Sequence, residues 1–319
     1  MAFGRIAYLG CLLFLLFLLQ PAHAQTAVGA AGSFPNPEAE LILIHGPDWV
    51  TTDANQVQSY FKAANYGDPA AQIEIGFFLA QSRGTGSNDG QAFRWFQRAA
   101  TEQSPIAMNN LGIFYIEGRG VIKDPKEGLK WLRRAAESKI KAAEMNVGFA
   151  YWNGWGAAAD HAEAVRWFRK AAEQGFAPAQ FALAFSFDTG DGAEHNPTEA
   201  AAWYERAIRQ KHAPSMNNLA VQYEEGRGVA MDGTRARALY EQAVNGGFIP
   251  AATNLARLLM SGKVGTPDPA AACAWLLVAK NRDTRAEQMS ERICESLDGP
   301  TLMAAQQRAA EWHPGTSAP

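Results

Sequence analysis

Between residues 106 and 139, apolar side chains recur at helical spacing in two blocks. Ala107, Leu111 and Tyr115 stand four apart, with Gly112 beside Leu111, so one face of a first helix is apolar. Gly128, Trp131 and Ala135 form a similar stripe on a second helix. The joining segment carries Gly118, Gly120 and Val121, then Asp124 and Pro125. Gly118 stands where a helix ends in left-handed backbone, Gly120 permits the next bend, and Val121 is expected to pin the loop to the core. Asp124 is suited to cap the second helix, Pro125 to occupy its first position, and Glu127 to reach back and complete a capping box. The pattern predicts a helix hairpin, helix A followed by helix B.

A shift of 36 residues reproduces it. Gly112 becomes Gly76, Gly148, Ala184, Ala220 and Ala256 on helix A. On helix B, Trp131 becomes Trp95, Trp167, Trp203, Leu239 and Trp275, and Ala135 becomes Ala99, Ala171, Ala207, Ala243 and Ala279. The caps recur at Asp160, Asn196, Asp232 and Asp268, with Asn88 paired to Gln91 in the first copy. Six copies begin near Pro69, Pro105, Lys141, Ala177, Ala213 and Ile249. A fixed period of this length marks a solenoid, because a single hairpin cannot cover its own apolar face and must stack on neighbours. The expected fold is an all-α solenoid of helix-turn-helix repeats, with the Trp row buried.

The repeat resembles the Sel1-like family, a relative of the tetratricopeptide repeats. The resemblance rests on Leu111-Gly112, Tyr115, Gly118-Arg119-Gly120-Val121, Asp124, Trp131 and Ala135-Ala136, and on the 36-residue period. The first copy departs at Ser82, in place of the first loop glycine; the last departs at Val264 and Lys280. The resemblance implies a right-handed superhelix and a role in protein–protein interaction: scaffold, adaptor or regulator.

The ends extend the array. Arg5, the apolar run Ile6 to Leu19 and Ala22-His23-Ala24 read as a secretory signal peptide over 1–24, cut after Ala24. Cys11 is not a lipoprotein site, since Tyr8 stands where a small aliphatic residue belongs. Residues 25–47 read as a poorly ordered linker, 48–68 as an irregular half-repeat, 69–284 as the six repeats, and 285–319 as capping helices with a frayed tail. The signal, and the absence of any Asn-x-Ser/Thr sequon, point to a bacterial periplasmic or secreted protein, with membrane attachment only through an uncleaved signal.

Composition adds limits. A hydrophobic content of 47% excludes a generally disordered chain. A net charge of −3 without a basic stripe argues against nucleic acid as the partner. The chain is expected to be a monomer.

Candidate chemistry is sparse. The Gly-x-Gly loops follow helices rather than strands, so they read as turns and not phosphate loops. Ser59 and Lys62 match the S-x-x-K of β-lactamases and penicillin-binding proteins, but S-D-N and K-T-G are missing, and Ser59 falls in the Trp row, expected to face inward. No two of His45, His161, His195, His212 and His313 are spaced as metal ligands. No cofactor and no enzymatic activity are expected. The alternatives are a weak β-lactam-binding protein or cell-wall-related hydrolase, and a peptidoglycan-binding module. Cys273 and Cys294 are centred on the 281–285 loop, so antiparallel flanking helices would bring them level as a disulfide; two unpaired cysteines are the other reading.

Binding is expected on the concave surface, which helix A lines in related solenoids. One variable row there reads Ile73, Asn109, Met145, Phe181, Asn217, Thr253, and another Ala80, Ile116, Trp152, Asp188, Glu224, Met260. Asn110, Asn146, Asn218 and Asn254 form a third. These asparagines either hold the backbone of an extended peptide, as in the tetratricopeptide relatives, or bond a neighbouring helix. Trp152, with Ile116 and Met145 nearby, is either a partner's anchor or packed on its own loop beside Trp155. The partner is expected to be a protein or peptide, such as an envelope complex or a membrane sensor.

Overall fold

A computed structural model of the chain describes residues 41–44, 54–81 and 86–314, all of which belong to one unit, Phe34–Pro319. The proposed signal peptide, His45 and residues 315–319 lie outside the described residues. The described residues form fifteen α-helices and no strand. After α1 (Ala54–Asn65), six hairpins follow. Their A helices are α2 (Pro69–Gln81), α4 (Pro105–Glu117), α6 (Lys141–Asn153), α8 (Ala177–Thr189), α10 (Ala213–Glu225) and α12 (Pro250–Met260). Their B helices are α3 (Gly86–Thr101), α5 (Pro125–Glu137), α7 (His161–Glu173), α9 (Pro197–Ile208), α11 (Gly233–Asn245) and α13 (Pro269–Ala279). Each B helix packs on its own A helix and on the next, which makes a right-handed α-solenoid. Helices α14 (Thr284–Cys294) and α15 (Gly299–Glu311) cover α13. A disulfide joins Cys273 to Cys294, whose Cα atoms are 5.2 Å apart.

The packing differs from the pattern in two ways. Helix A is buried on every side, not along one stripe: in α4 the run Ala107 to Phe114 is buried without a break. An A helix is walled by neighbours on both sides along the array, so its polar positions are enclosed as well. On helix B the deepest row is not the Trp row but the residue after it. Phe96, Leu132, Phe168, Tyr204, Tyr240 and Leu276 are fully buried. Trp95, Trp131 and Trp167 are half-buried, and each lies under a cation one turn on: Arg98 at 4.8 Å, Arg134 at 4.6 Å and Lys170 at 3.6 Å from the ring centroid. These three rings are each covered by an aliphatic stem and its charge, whereas Trp203, Leu239 and Trp275 of the same row are buried as the pattern predicted.

The loops carry the repeat-to-repeat contact. Gly118, Gly154, Gly190 and Gly226 end their helices with φ between 70° and 78°. The second loop glycine serves another purpose: a Cβ on Gly156 would strike the carbonyl of Pro125, and one on Gly192 that of His161. Each loop therefore rests on the first turn of the preceding B helix. The cap is half of the expected box. Asp124 accepts from the Glu127 N–H at 3.0 Å, but Glu127 pairs with Lys130, and the Asp124 N–H donates to the Tyr115 carbonyl at 2.9 Å. Asp160, Asn196, Asp232 and Asp268 donate in the same way to the end of their A helices, which removes the need for a reaching glutamate. In the first repeat α3 already starts at Gly86, so Asn88 lies inside the helix and is not its cap.

Candidate functional site

Members of the first and third rows come together on neighbouring A helices. Asn109 and Asn110 of α4 and Asn146 of α6 are fully buried and bonded in series. Asn146 Nδ2 donates to Asn109 Oδ1 at 2.7 Å, and Asn109 Nδ2 donates to Asn110 Oδ1 at 3.1 Å. Across them lies a piece of the chain itself, the extended segment Leu41–Ile44. The Ile42 N–H donates to Asn146 Oδ1 at 2.8 Å, and the Ile42 carbonyl accepts from Asn109 Nδ2 and Asn146 Nδ2, both at 3.0 Å. Two residues on, the Ile44 N–H donates to Asn110 Oδ1 at 2.9 Å, and its carbonyl accepts from Asn110 Nδ2 at 2.7 Å. The 25–47 stretch is therefore not a free linker at 41–44: side-chain amides satisfy its backbone as a neighbouring strand would, and Leu41 is buried in the repeat core.

Of the other predicted contact residues, Ile116, Met145 and Phe181 are buried in the same apolar cluster that takes in Leu41, Ile42 and Leu43. Trp152 is half-buried, and one face of its ring is stacked on His161 at 4.1 Å, with His161 Nδ1 held by Asp191. Asn217, Asn218 and Asn254 repeat the serial bonding further along: Asn254 Nδ2 donates to Asn217 Oδ1 at 2.9 Å and Asn217 Nδ2 to Asn218 Oδ1 at 3.1 Å. No segment of the described residues bonds to them there; Asn218 Nδ2 turns to the Tyr204 hydroxyl at 3.1 Å.

This second region has a charged lining that the row pattern did not reveal. Glu224 is almost fully buried, holds both Arg257 guanidinium nitrogens, one at 2.9 Å, and accepts from the Tyr240 hydroxyl at 3.0 Å. Burial, and then the Glu224 charge, push the Tyr240 hydroxyl well above its ordinary range. Asp188, also buried, takes Arg227 and Gln222. The available signal was Arg257, which stands where the other copies have Phe77, Ile113, Phe149, Phe185 and Val221. His212 lies against Phe181 and its burial lowers its pKa to about 4.

Reactive groups are not assembled. Ser59 is exposed rather than inward-facing, and Lys62 is exposed too, because no further helix pair packs outside α1 among the described residues. His195 and His313 are exposed, and no three His, Cys, Asp or Glu of the described residues converge on a metal position.

The Sel1 repeat family profile matches residues 69–104, 105–139, 141–176, 177–212, 213–248 and 249–283. The chain belongs to the Sel1 repeat family. Sel1 repeat proteins typically mediate protein–protein interaction, and the scaffold is generally non-enzymatic. Among solved structures, the Sel1 repeat chain is similar to c5321, a protective antigen of uropathogenic Escherichia coli with an SLR fold. That match has 29% identity and a TM-score of 0.67 over 82% of this chain, but spans only 58% of the antigen's length. It is also similar to a Sel1 repeat protein from Oxalobacter formigenes, at 27% identity and TM-score 0.59, covering 70% of this chain and 96% of that one. No curated protein matches it in sequence.

Proposed function

We propose that this Sel1 repeat protein is a non-enzymatic scaffold or adaptor of the bacterial cell envelope that grips an extended segment of a protein partner on its asparagine-lined inner face. One observation carries the reading. Asn109, Asn110 and Asn146 bond the N–H and carbonyl of both Ile42 and Ile44, a grip that depends on backbone and not on side-chain identity. The chain's own segment occupies that grip, so a partner strand would exchange with it or use the remaining length of the face. The envelope location rests on the signal-like 1–24 stretch.

The test is affinity purification of the tagged protein from its native envelope, comparing wild type with the Asn109→Ala/Asn146→Ala double variant. The expected result is a partner whose recovery falls at least tenfold in the variant. Equal recovery by both proteins overturns the reading.

A further inference from the structure

The asparagine triad is built twice. Asn109, Asn110 and Asn146 are related to Asn217, Asn218 and Asn254 by three whole repeats. The internal bonds correspond one to one, at 2.7 and 3.1 Å in the first triad and 2.9 and 3.1 Å in the second. The first holds an extended backbone. In the second, Asn254 Oδ1, the counterpart of the atom that accepts from the Ile42 N–H, accepts no hydrogen bond from any described residue.

What differs is the lining. Around the first triad stand Phe149 and Ile116; at the corresponding positions around the second stand Arg257 and Glu224. The carboxylates of this region lie beneath its cations. Arg257 keeps 39% of its side chain exposed against 1% for Glu224, and Arg227 keeps 30% against 3% for Asp188. Lys263 is 38% exposed; Glu225, at 30%, is taken up by Arg227. A strand laid here meets the same backbone grip but an outward-facing positive lining.

We propose that Asn217, Asn218 and Asn254 form a second strand-binding station, and that it takes an extended peptide with acidic side chains from another protein. Asn254 Oδ1 accepts the N–H of one peptide residue, whose carbonyl accepts from Asn217 Nδ2 and Asn254 Nδ2. Asn218 Oδ1 accepts the N–H two residues on. Tyr204 takes one of the two Asn218 amide hydrogens, which at the first station no described side chain takes from Asn110. Carboxylates on the peptide face Arg257 and Lys263. Leu41–Ile44 does not suit this station, because its aliphatic side chains match the first lining and not the second. This inference deepens the strand-gripping reading above and rests on it.

The experiment measures fluorescence anisotropy of two labelled octapeptides, alternating valine–glutamate and alternating valine–lysine, titrated with the full chain. The glutamate peptide is expected to bind at least tenfold more tightly than the lysine peptide. Asn254→Ala is expected to weaken it at least tenfold, and Asn146→Ala to leave it unchanged. Circular dichroism confirms that each variant is folded; if Asn254→Ala fails to fold, Arg257→Lys, expected to weaken binding severalfold, replaces it. No binding of the glutamate peptide, a preference for lysine, or a binding constant untouched by the station variant overturns the inference. Loss of binding in Asn146→Ala alone places the peptide at the first station, which overturns this inference while leaving the strand-gripping reading in place.

Discussion

Asn110 and Ile44, 66 residues apart, close a two-bond ring: the Asn110 amide group donates to the Ile44 carbonyl at 2.7 Å while its oxygen accepts the Ile44 N–H at 2.9 Å. A side-chain amide here replaces a neighbouring β-strand. Removing it should free the segment locally without unfolding the array. In Asn110→Ala, amide exchange at Ile44 is expected to quicken about thirtyfold, as two lost hydrogen bonds of about 1 kcal/mol each imply. Exchange at Leu111 and Ile113 should stay slow. Unchanged exchange at Ile44 would show that the ring does not hold the segment.

Gly156 and Gly175 both have positive φ, at 84° and 78°, yet only Gly156 is crowded. Gly175→Ala should cost about 1 kcal/mol from left-handed backbone alone. Gly156→Ala also drives a methyl into the Pro125 carbonyl and should cost at least about 2 kcal/mol more. Urea unfolding midpoints compare the two directly; equal losses would mean that the repeat contact yields freely.

Arg257→Ala leaves the buried Glu224 carboxylate with only the Tyr240 hydroxyl and a distant Lys263, 3.6 Å away. The expected loss is about 3 kcal/mol. Adding Glu224→Ile, the residue found at position 116, should recover most of it, because the unpaired charge is then gone. Thermal denaturation of the single and double variants reads the recovery.

His212 is neutral in the folded chain to about pH 4, against an ordinary value of 6.5. A depressed folded pKa favours folding fully above pH 6.5, and the benefit is lost as pH falls from there toward 4. The expected loss is about 3 kcal/mol by pH 4. His212→Gln should flatten that part of the stability–pH curve. An unchanged slope between pH 6.5 and 4 would exclude His212 as its source.

The bridge Cys273–Cys294 closes a loop of 21 residues between α13 and α14. Its reduction is expected to remove about 3 kcal/mol, chiefly from the C-terminal end. Hydrogen exchange should rise in α14 and α15 and stay unchanged in α4 to α9. A uniform rise along the chain would contradict a local staple.

The 36-residue rows alone determined the hairpins, their number, the N-cap residues of the second to sixth repeats and the all-α solenoid, because small residues, prolines and cap residues act within one turn of where they stand. They also singled out Asn109, Asn110 and Asn146 as candidate contact residues on the A helices. Three matters needed the tertiary structure. That Phe96 and Tyr204 lie deeper than Trp95 depends on how adjacent hairpins rotate against one another, and no single helix stripe records this. That Glu127 does not close its box depends on the Tyr115 carbonyl, brought back by the loop. And that Ile42 and Ile44 occupy the asparagine row could not be read from residues 41–44, since the groove bonds their backbone, which every sequence shares.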